Sequence, residues 1–510
     1  MDVGSVTEPL VRVWSVGESF TTSMAQLQGL PPNILELIGN LITTVSDIKS
    51  LILTSRWCNN QFRYLLWRQV RVTSNDNIQF STSLKTRTRA IRSLRFENKV
   101  AEKFYDLHLP GLQTFRQDFP DSLSKSDTVK ARACLLSFIR RQRKSLQDLT
   151  ITTGHLHLNR KFWLTVFTAL HTAKRLKIEE TGSGQGIKSF EGATGNAFWR
   201  ALTRFEEIEY KGKDQSGTLG PRDLDYSRLQ RLTYILKGSM KNNSGFWEWL
   251  SRCSNLRRLH LQGGMTISEV ISTAQQQWPL LEDLSLKGVQ GSDEQSAALF
   301  QHLQPLKHLA LAGGAFGSEC FVQVRARHFE SLRTLALREC EHFHSRLALL
   351  ALIHCPHLEI FEARRIAVQD IWSFPQSWAC RGLRRLLVTF ESDPKDRGAD
   401  MLFFEQLSRL TRLEQVEVGG EGDGLYATWG PGGQPFPRWR LDSGLSLLSG
   451  LTRLNFLNLS GTNQALRLED VLWMLDHWPV LEQVVGKFAL DSRMDADIKA
   501  LIRLRGVQVL

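Results

Sequence analysis

The chain has 510 residues, 42% hydrophobic and 23% charged, with a formal net charge of +12. These proportions suit a folded protein and argue against a disordered or low-complexity chain. No apolar run reaches the roughly 18 residues of a transmembrane helix. Seven scattered cysteines, an odd number, do not make a disulfide framework and point to free, mostly buried thiols in a reducing compartment. Residues 1–27 read as a flexible N-terminus. MDVGSVTEPLVRVW has no basic start followed by an apolar stretch, so no secretory signal is expected. The expected location is cytoplasmic, nuclear or both.

From Leu30 the chain reads LPPNILELIGNLITTVSDIKSLILTSRWCNNQFRYLLWRQVRV. Pro31 and Pro32 open a helix with Ile34, Leu35, Leu37, Ile38 and Leu41 on one face. Ser46 or Asp47 caps a second helix carrying Ile48, Leu51 and Ile52. A third amphipathic stretch holds Trp57, Phe62, Leu65, Leu66 and Trp67. About 40 residues of short helices make a thin core alone, so this module needs a partner or a neighbouring domain. One reading makes it a helical cap for the C-terminal bulk of the chain.

Residues 71–145 read as linker and solenoid cap. SNDNIQFSTSLKTRTR has the composition of an exposed linker. VKARACLLSFIRRQRK over 129–144 predicts a helix with Ala133, Leu136 and Ile139 or Arg140 on successive turns. Its closing basic cluster suits a helix C-terminus, which outweighs a localisation signal.

From residue 146 one pattern recurs. Leu256-x-x-Leu259-x-Leu261 returns at Leu281, Leu306, Leu332, Leu358 and Leu383, in steps of 25, 25, 26, 26 and 25 residues. Upstream copies start at Leu146, Ala173, Phe205 and Leu229, and downstream copies at Leu413, Leu454 and Leu481. Ile91-x-x-Leu94-x-Phe96 stands apart as a possible entry cap. A period in the twenties with leucines at these places is the signature of leucine-rich repeats, here about a dozen. The alternating stretch is a short strand with one buried face. ISEVISTAQQQ, between two copies, has helical spacing, and Trp278-Pro279, Cys355-Pro356 and Trp478-Pro479 stop the helix before the next strand. The expected fold is therefore α/β: short N-terminal helices, then a horseshoe solenoid with parallel strands on the concave face and helices on the convex face.

A Gly/Pro-rich insertion at 419–444 stretches one repeat and belongs in a loop. Its Tyr426, Trp429, Phe436 and Trp439 either anchor a partner or fold back onto the scaffold. GSGQGIKS at 182–189 fails as a phosphate loop because Ile187 separates glycine from lysine. Cys340, His342, His344, His354, Cys355 and His357 cluster like zinc ligands, but the repeat period already explains their places, so no metal is assigned. No catalytic motif or cofactor site appears, and the chain reads as a non-enzyme. On the strands, Arg258, His260, Lys287, His308, Arg338, Arg364 and Arg385 fall between or just after the leucines. Acidic residues interrupt them, yet the balance is positive and spread through the repeats. An acidic or phosphorylated protein target suits such a surface; a membrane is not expected and nucleic acid is disfavoured.

Residues 28–70 resemble an F-box. The motif positions are Leu30-Pro31, Ile34-Leu35 with Ile38, Asp47-Ile48 with Leu51, Arg56-Trp57 and Leu66-Trp67. Asn33 replaces the usual acidic residue, ITTV lengthens the first turn, and Leu53-Thr54-Ser55 stands where Val-Cys is usual. With the repeats behind it, the chain resembles the F-box/leucine-rich-repeat family. That resemblance implies a substrate receptor of an SCF-type ubiquitin ligase. Leu30, Pro31, Ile34, Leu35, Ile38, Leu51, Trp57 and Trp67 would meet a Skp-type adaptor and through it a cullin–RING ligase, and the repeats would hold the target. The alternative is a repeat scaffold whose N-terminal helices serve only as a cap.

Overall fold

A computed structural model describes residues 30–31, 34–35, 38, 42, 45–73, 83–97, 102–120, 125–153, 160–180, 199–212, 224–239, 244–391, 397–419, 437–462 and 464–510. The chain divides into two compact units, residues 1–156 with 169–173, and residues 157–168 with 174–510.

In the first unit Ile34, Leu35 and Ile38 are helical, and the helices Val45–Thr54 and Arg56–Phe62 and a 3-10 turn Arg63–Trp67 follow. Ser55 starts the second helix, its hydroxyl accepting from the Cys58 N–H at 3.1 Å. Leu35, Ile48, Cys58, Phe62 and Leu65 bury one another in a small cluster. Strands β1 (Gln69–Val72), β2 (Ser93–Glu97), β3 (Thr114–Asp118) and β4 (Asp148–Thr152) then pair in parallel.

The regular stack thus starts at Gln69, upstream of residue 146. Residues 71–145 are not only linker and cap, because Ile91-x-x-Leu94-x-Phe96 forms β2, paired on both sides. The copy in β3 is hidden in the sequence because the buried Gln117 takes the third apolar place. Gln117 is tolerated there because its Oε1 accepts from the Tyr105 hydroxyl at 2.9 Å. Within the stretch read as exposed linker, Leu84 is fully buried. The helix Lys125–Gln142 buries Leu135, Phe138, Ile139 and Gln142, while Ala133 is exposed. The apolar face expected from Ala133 and Leu136 is therefore rotated, because Phe138 packs on Phe96 and Phe115 at ring distances of 5.8 and 4.7 Å.

The second unit holds β5 (Arg175–Glu179), β6 (Glu207–Gly212), β7 (Arg231–Ser239), β8 (Arg258–Thr266), β9 (Asp283–Gln290), β10 (His308–Ala312) and β11 (Thr334–Glu339). It continues with β12 (Ile360–Ala367), β13 (Arg385–Glu391), β14 (Gln415–Glu417), β15 (Phe456–Asn458), β16 (Gln483–Val485) and β17 (Gln508–Val509). All pair in parallel in chain order. Helices such as Ile267–Gln277, Ser318–Arg327 and Ser345–His354 return the chain to the next strand. The repeat leucines are buried in register: Leu259, Leu284, Leu309 and Leu335 form one column, Leu261, Leu286 and Leu311 the next.

Neighbouring repeats are tied by more than strand ladders. Along most of the stack the carbonyl just after a repeat's first leucine accepts two N–H groups of the next repeat: Arg257 from Glu282 and Asp283 at 2.9 and 3.0 Å, Lys307 from Arg333 and Thr334 at 2.7 and 3.1 Å. Behind this row, buried polar side chains satisfy irregular backbone in the adjacent repeat. The Gln406 and Gln464 side-chain oxygens accept from the backbone N–H of Trp378 and Trp439, both at 3.1 Å. The indoles of Trp278 and Trp478, at the helix-stopping Trp-Pro pairs, donate to Leu250 and Leu448 carbonyls at 3.3 and 3.1 Å. His328 Nδ1 accepts from the Leu306 N–H at 3.0 Å, and its other ring nitrogen lies 3.3 Å from the Phe300 carbonyl. All seven cysteines are free and six are buried.

This packing can be tested in two ways. Leu284→Asp places an unpaired charge in the buried column, and the thermal midpoint should fall sharply for a loss of several kcal/mol. An unchanged melt would contradict the register. Burial pushes the His328 ring down to about 4, because a second proton has no acceptor at Nδ1. The unfolded chain, with histidine near 6.5, then binds more protons between pH 6.5 and 4, so His328 costs stability as pH falls through that window. Urea melts at pH 7 and pH 4 should differ more for the wild type than for His328→Gln, by on the order of 3 kcal/mol. Equal differences would remove this role.

Candidate functional site

Two surfaces contain the candidate residues, one in each unit. In the helical module, Leu35 lies within the cluster while Leu30, Leu51 and Trp57 pack against it half-buried. Trp57 meets Phe62 edge-on at 6.1 Å. Pro31 is exposed, and Ile34, Ile38 and Trp67 are half-buried. Among the described residues, the most exposed large apolar residue of the module is Leu53, at 82%. The motif does not single it out, because helical periodicity reads Leu51 and Ile52 as the face and gives Leu53 no role.

In the second unit the residues between the leucines lie on the face of the sheet opposite the helices. The register sorts them into rows. One runs Arg258, Asp283, His308, Thr334, Ile360, Arg385, Gln415. The next runs His260, Ser285, Ala310, Ala336, Glu362, Leu387, Glu417. Lys287, Arg338 and Arg364 stand beyond the last repeat leucines, and a register shift between Ala363 and Arg365 displaces Arg364 from its neighbours.

Arg258, Lys287, Arg338, Arg364 and Arg385 therefore do not form one basic line. Asp283, His308, Thr334 and Ile360 separate Arg258 from Arg385 within their row. Several cations are also engaged. Lys287 pairs with Glu339 at 2.9 Å, and Arg338 reaches past β12 and β13 to Glu417 at 2.6 Å. Farther up, Lys177 and Lys211 both hold Glu209, at 2.7 and 3.0 Å. Burial pushes the Glu209 carboxyl up, but the hydrogen bonds from the two lysines outweigh it and leave it below its usual range. His260 is lowered, chiefly by burial, against the pull of Asp283. Asp283 is raised, chiefly by burial, against His308 and Arg258. His308 shares a hydrogen bond with the Thr334 hydroxyl at 2.9 Å. The face is a mesh of paired charges around the small side chains Ser285, Ala310 and Ala336.

Of the insertion aromatics, Tyr426, Trp429 and Phe436 lie outside the described residues. Trp439 is fully buried against Phe404 and Trp478, at ring distances of 5.6 and 6.4 Å, so this ring folds back onto the scaffold. His155 and His157 and the GSGQGIKS stretch also lie outside the described residues. The Cys340 thiol is buried 3.4 Å from the Leu311 carbonyl, and Cys355 is buried where the helix Ser345–His354 ends. Among the described residues no three His, Cys, Asp or Glu are grouped to hold a metal ion, and no helix is long and apolar enough to cross a membrane.

No family model matches the chain, and no curated protein matches it. Among solved structures it is similar to a chain in the crystal structure of the Rad7 and Elc1 complex in yeast. The likeness has 10% identity and a TM-score of 0.37, and covers 92% of this chain and 98% of that one. A likeness this distant carries no argument about mechanism or partners.

Proposed function

We propose that this protein is a non-enzymatic substrate receptor of an SCF-type ubiquitin ligase. The helical module docks on a Skp-type adaptor, which links the chain to a cullin–RING ligase, and the strand face of the repeats binds a target protein. The observation that carries this reading is the module itself. Among the described residues it has five mutually buried side chains, and it holds the motif residues Leu30, Leu35, Leu51 and Trp57 in and around that core. Leu53 stands out from it. So thin a core with an open leucine suits an element completed by a partner. The strand face offers a target its polar rows together with the half-buried apolar side chains Ile360 and Leu387. An acidic or phosphorylated segment would bind there by displacing Glu339 and Glu417 from Lys287 and Arg338.

Co-elution of the purified chain with a Skp-type adaptor tests the first half. Leu30→Ala with Pro31→Ala should abolish the complex, and Leu53→Asp should weaken it at least tenfold without moving the melting midpoint. Wild-type co-elution of both variants would leave the module as a cap on a repeat scaffold. Capture with the full chain carrying Leu30→Ala and Pro31→Ala, followed by mass spectrometry, addresses the target.

A further inference from the structure

The net charge is not spread evenly. Residues 1–156 contain 21 Lys and Arg against 13 Asp and Glu, a net +8 out of the chain's +12. The sequence expectation of charge dispersed through the repeats is therefore corrected, and the excess has a definite place in the first unit.

In each unit, the residue after a repeat's first apolar position lines the edge where the strands start. In the second unit this row mixes cations and anions that pair with one another: Arg257 to Glu282 at 3.0 Å, Glu282 to Lys307 at 2.9 Å, Arg333 to Glu359 at 3.3 Å, Arg384 to Glu414 at 2.8 Å. The same row in the first unit reads Arg68, Arg92, Gln113, Gln147, joined by backbone hydrogen bonds from Arg92 to Arg68, Gln113 to Arg92 and Gln147 to Gln113. It contains no acid.

More cations surround it. The Arg92 guanidinium donates to the Arg89 carbonyl at 2.6 Å and lies across Gly111 of the next repeat, where any Cβ would collide with it. Arg87 stands over the Trp67 ring at 5.9 Å. Arg143 and Lys144 form the turn that leads into Gln147, a turn fixed by the Thr172 hydroxyl donating to the Arg143 carbonyl at 3.0 Å. Arg89, Arg143 and Lys144 are exposed, Arg87 and Arg92 half-buried. Among the described residues, none of these five cations has a carboxylate partner.

We propose that this edge binds the phosphate backbone of a nucleic-acid duplex, independently of sequence. Four of the five groups are arginines, whose flat forks match phosphate oxygens. From β2 to β4 they span about two strand spacings, roughly 10 Å, which sets them against a few successive phosphates. An acidic protein segment fits less well, because a protein partner needs buried apolar anchors. Among the described residues of this unit, the strongly exposed large hydrophobics are Leu53, in the helical module, and Val129, at the far end of the helix that leads to Arg143. Phosphate binding needs only the cations and the release of counterions.

Fluorescence anisotropy of a labelled 20-base-pair duplex with the full chain tests this. Binding should weaken with salt along a log–log slope of about −4, as for four to five phosphate contacts. Arg87→Glu with Arg89→Glu and Arg143→Glu should lower affinity at least 100-fold. Reversal of three exposed arginines in the second unit, Arg325, Arg327 and Arg412, should change it less than threefold. Should the triple variant melt early, Arg89→Gln with Arg143→Gln should still give a graded loss of about tenfold. Absence of duplex binding at 50 mM salt, equal losses in both triple variants, or tighter binding of a poly-glutamate peptide than of the duplex would each overturn the proposal.

Discussion

Everything in this architecture depends on the lateral bond between one repeat and the next. A single short strand has one apolar face and unpaired backbone on both edges, and cannot stand alone. Along most of the stack the carbonyl after the first leucine resolves this by accepting two N–H groups from its neighbour, as Glu282 does from Lys307 and His308 at 2.8 and 3.1 Å. That bond fixes register before any side chain is considered. With register fixed, leucines stack on leucines, and buried polar groups such as His328 and Gln406 land where the adjacent repeat has a free N–H.

The same alignment decides the electrostatics. Side chains at equivalent positions stand one strand spacing apart, so a charge pattern with the period of the repeat becomes a row of direct neighbours. Each exposed pair contributes at most about 1 kcal/mol. Their larger effect is on availability. Arg338 and Lys287 already hold glutamates, so a ligand of the strand face must compete with Glu417 and Glu339 for them. At the strand-start edge of the first unit, Gln113 and Gln147 stand where acids would close the row, and Arg89 and Arg143 beside it remain open to solvent.

The N-terminal helices obey a different balance. The five buried residues among those described give little apolar area to oppose the entropy of ordering the module. Cys58 and Phe62 are shielded, but Leu53 is not. Any partner that covers a module built this way would add stability to it by mass action.

How much of this was legible in the residues depends on the information that periodicity encodes. The fixed step between leucines determined the strand positions, the buried columns and the parallel stack from Leu146 onward, because a side-chain period of two on a repeat of constant length leaves one solution. The Trp-Pro helix stops were readable for the same reason, as proline cannot continue a helix. The upstream start at Gln69 was hidden because Gln117 breaks the apolar pattern of β3, and only its contact with Tyr105 makes a buried amide acceptable there. The face of the helix Lys125–Gln142 was misread because Phe138 is chosen by the rings of Phe96 and Phe115, which lie far off in sequence. The failure of the basic strand residues Arg258, Lys287, Arg338, Arg364 and Arg385 to form one line was not readable, because a bulge in β12 and the reach of Arg338 to Glu417 depend on three-dimensional register. The sequence by itself determined the repeating unit and its buried leucines. Only the tertiary structure decided which charges neutralise one another and which stay open to a ligand, since that depends on distances between side chains from different repeats.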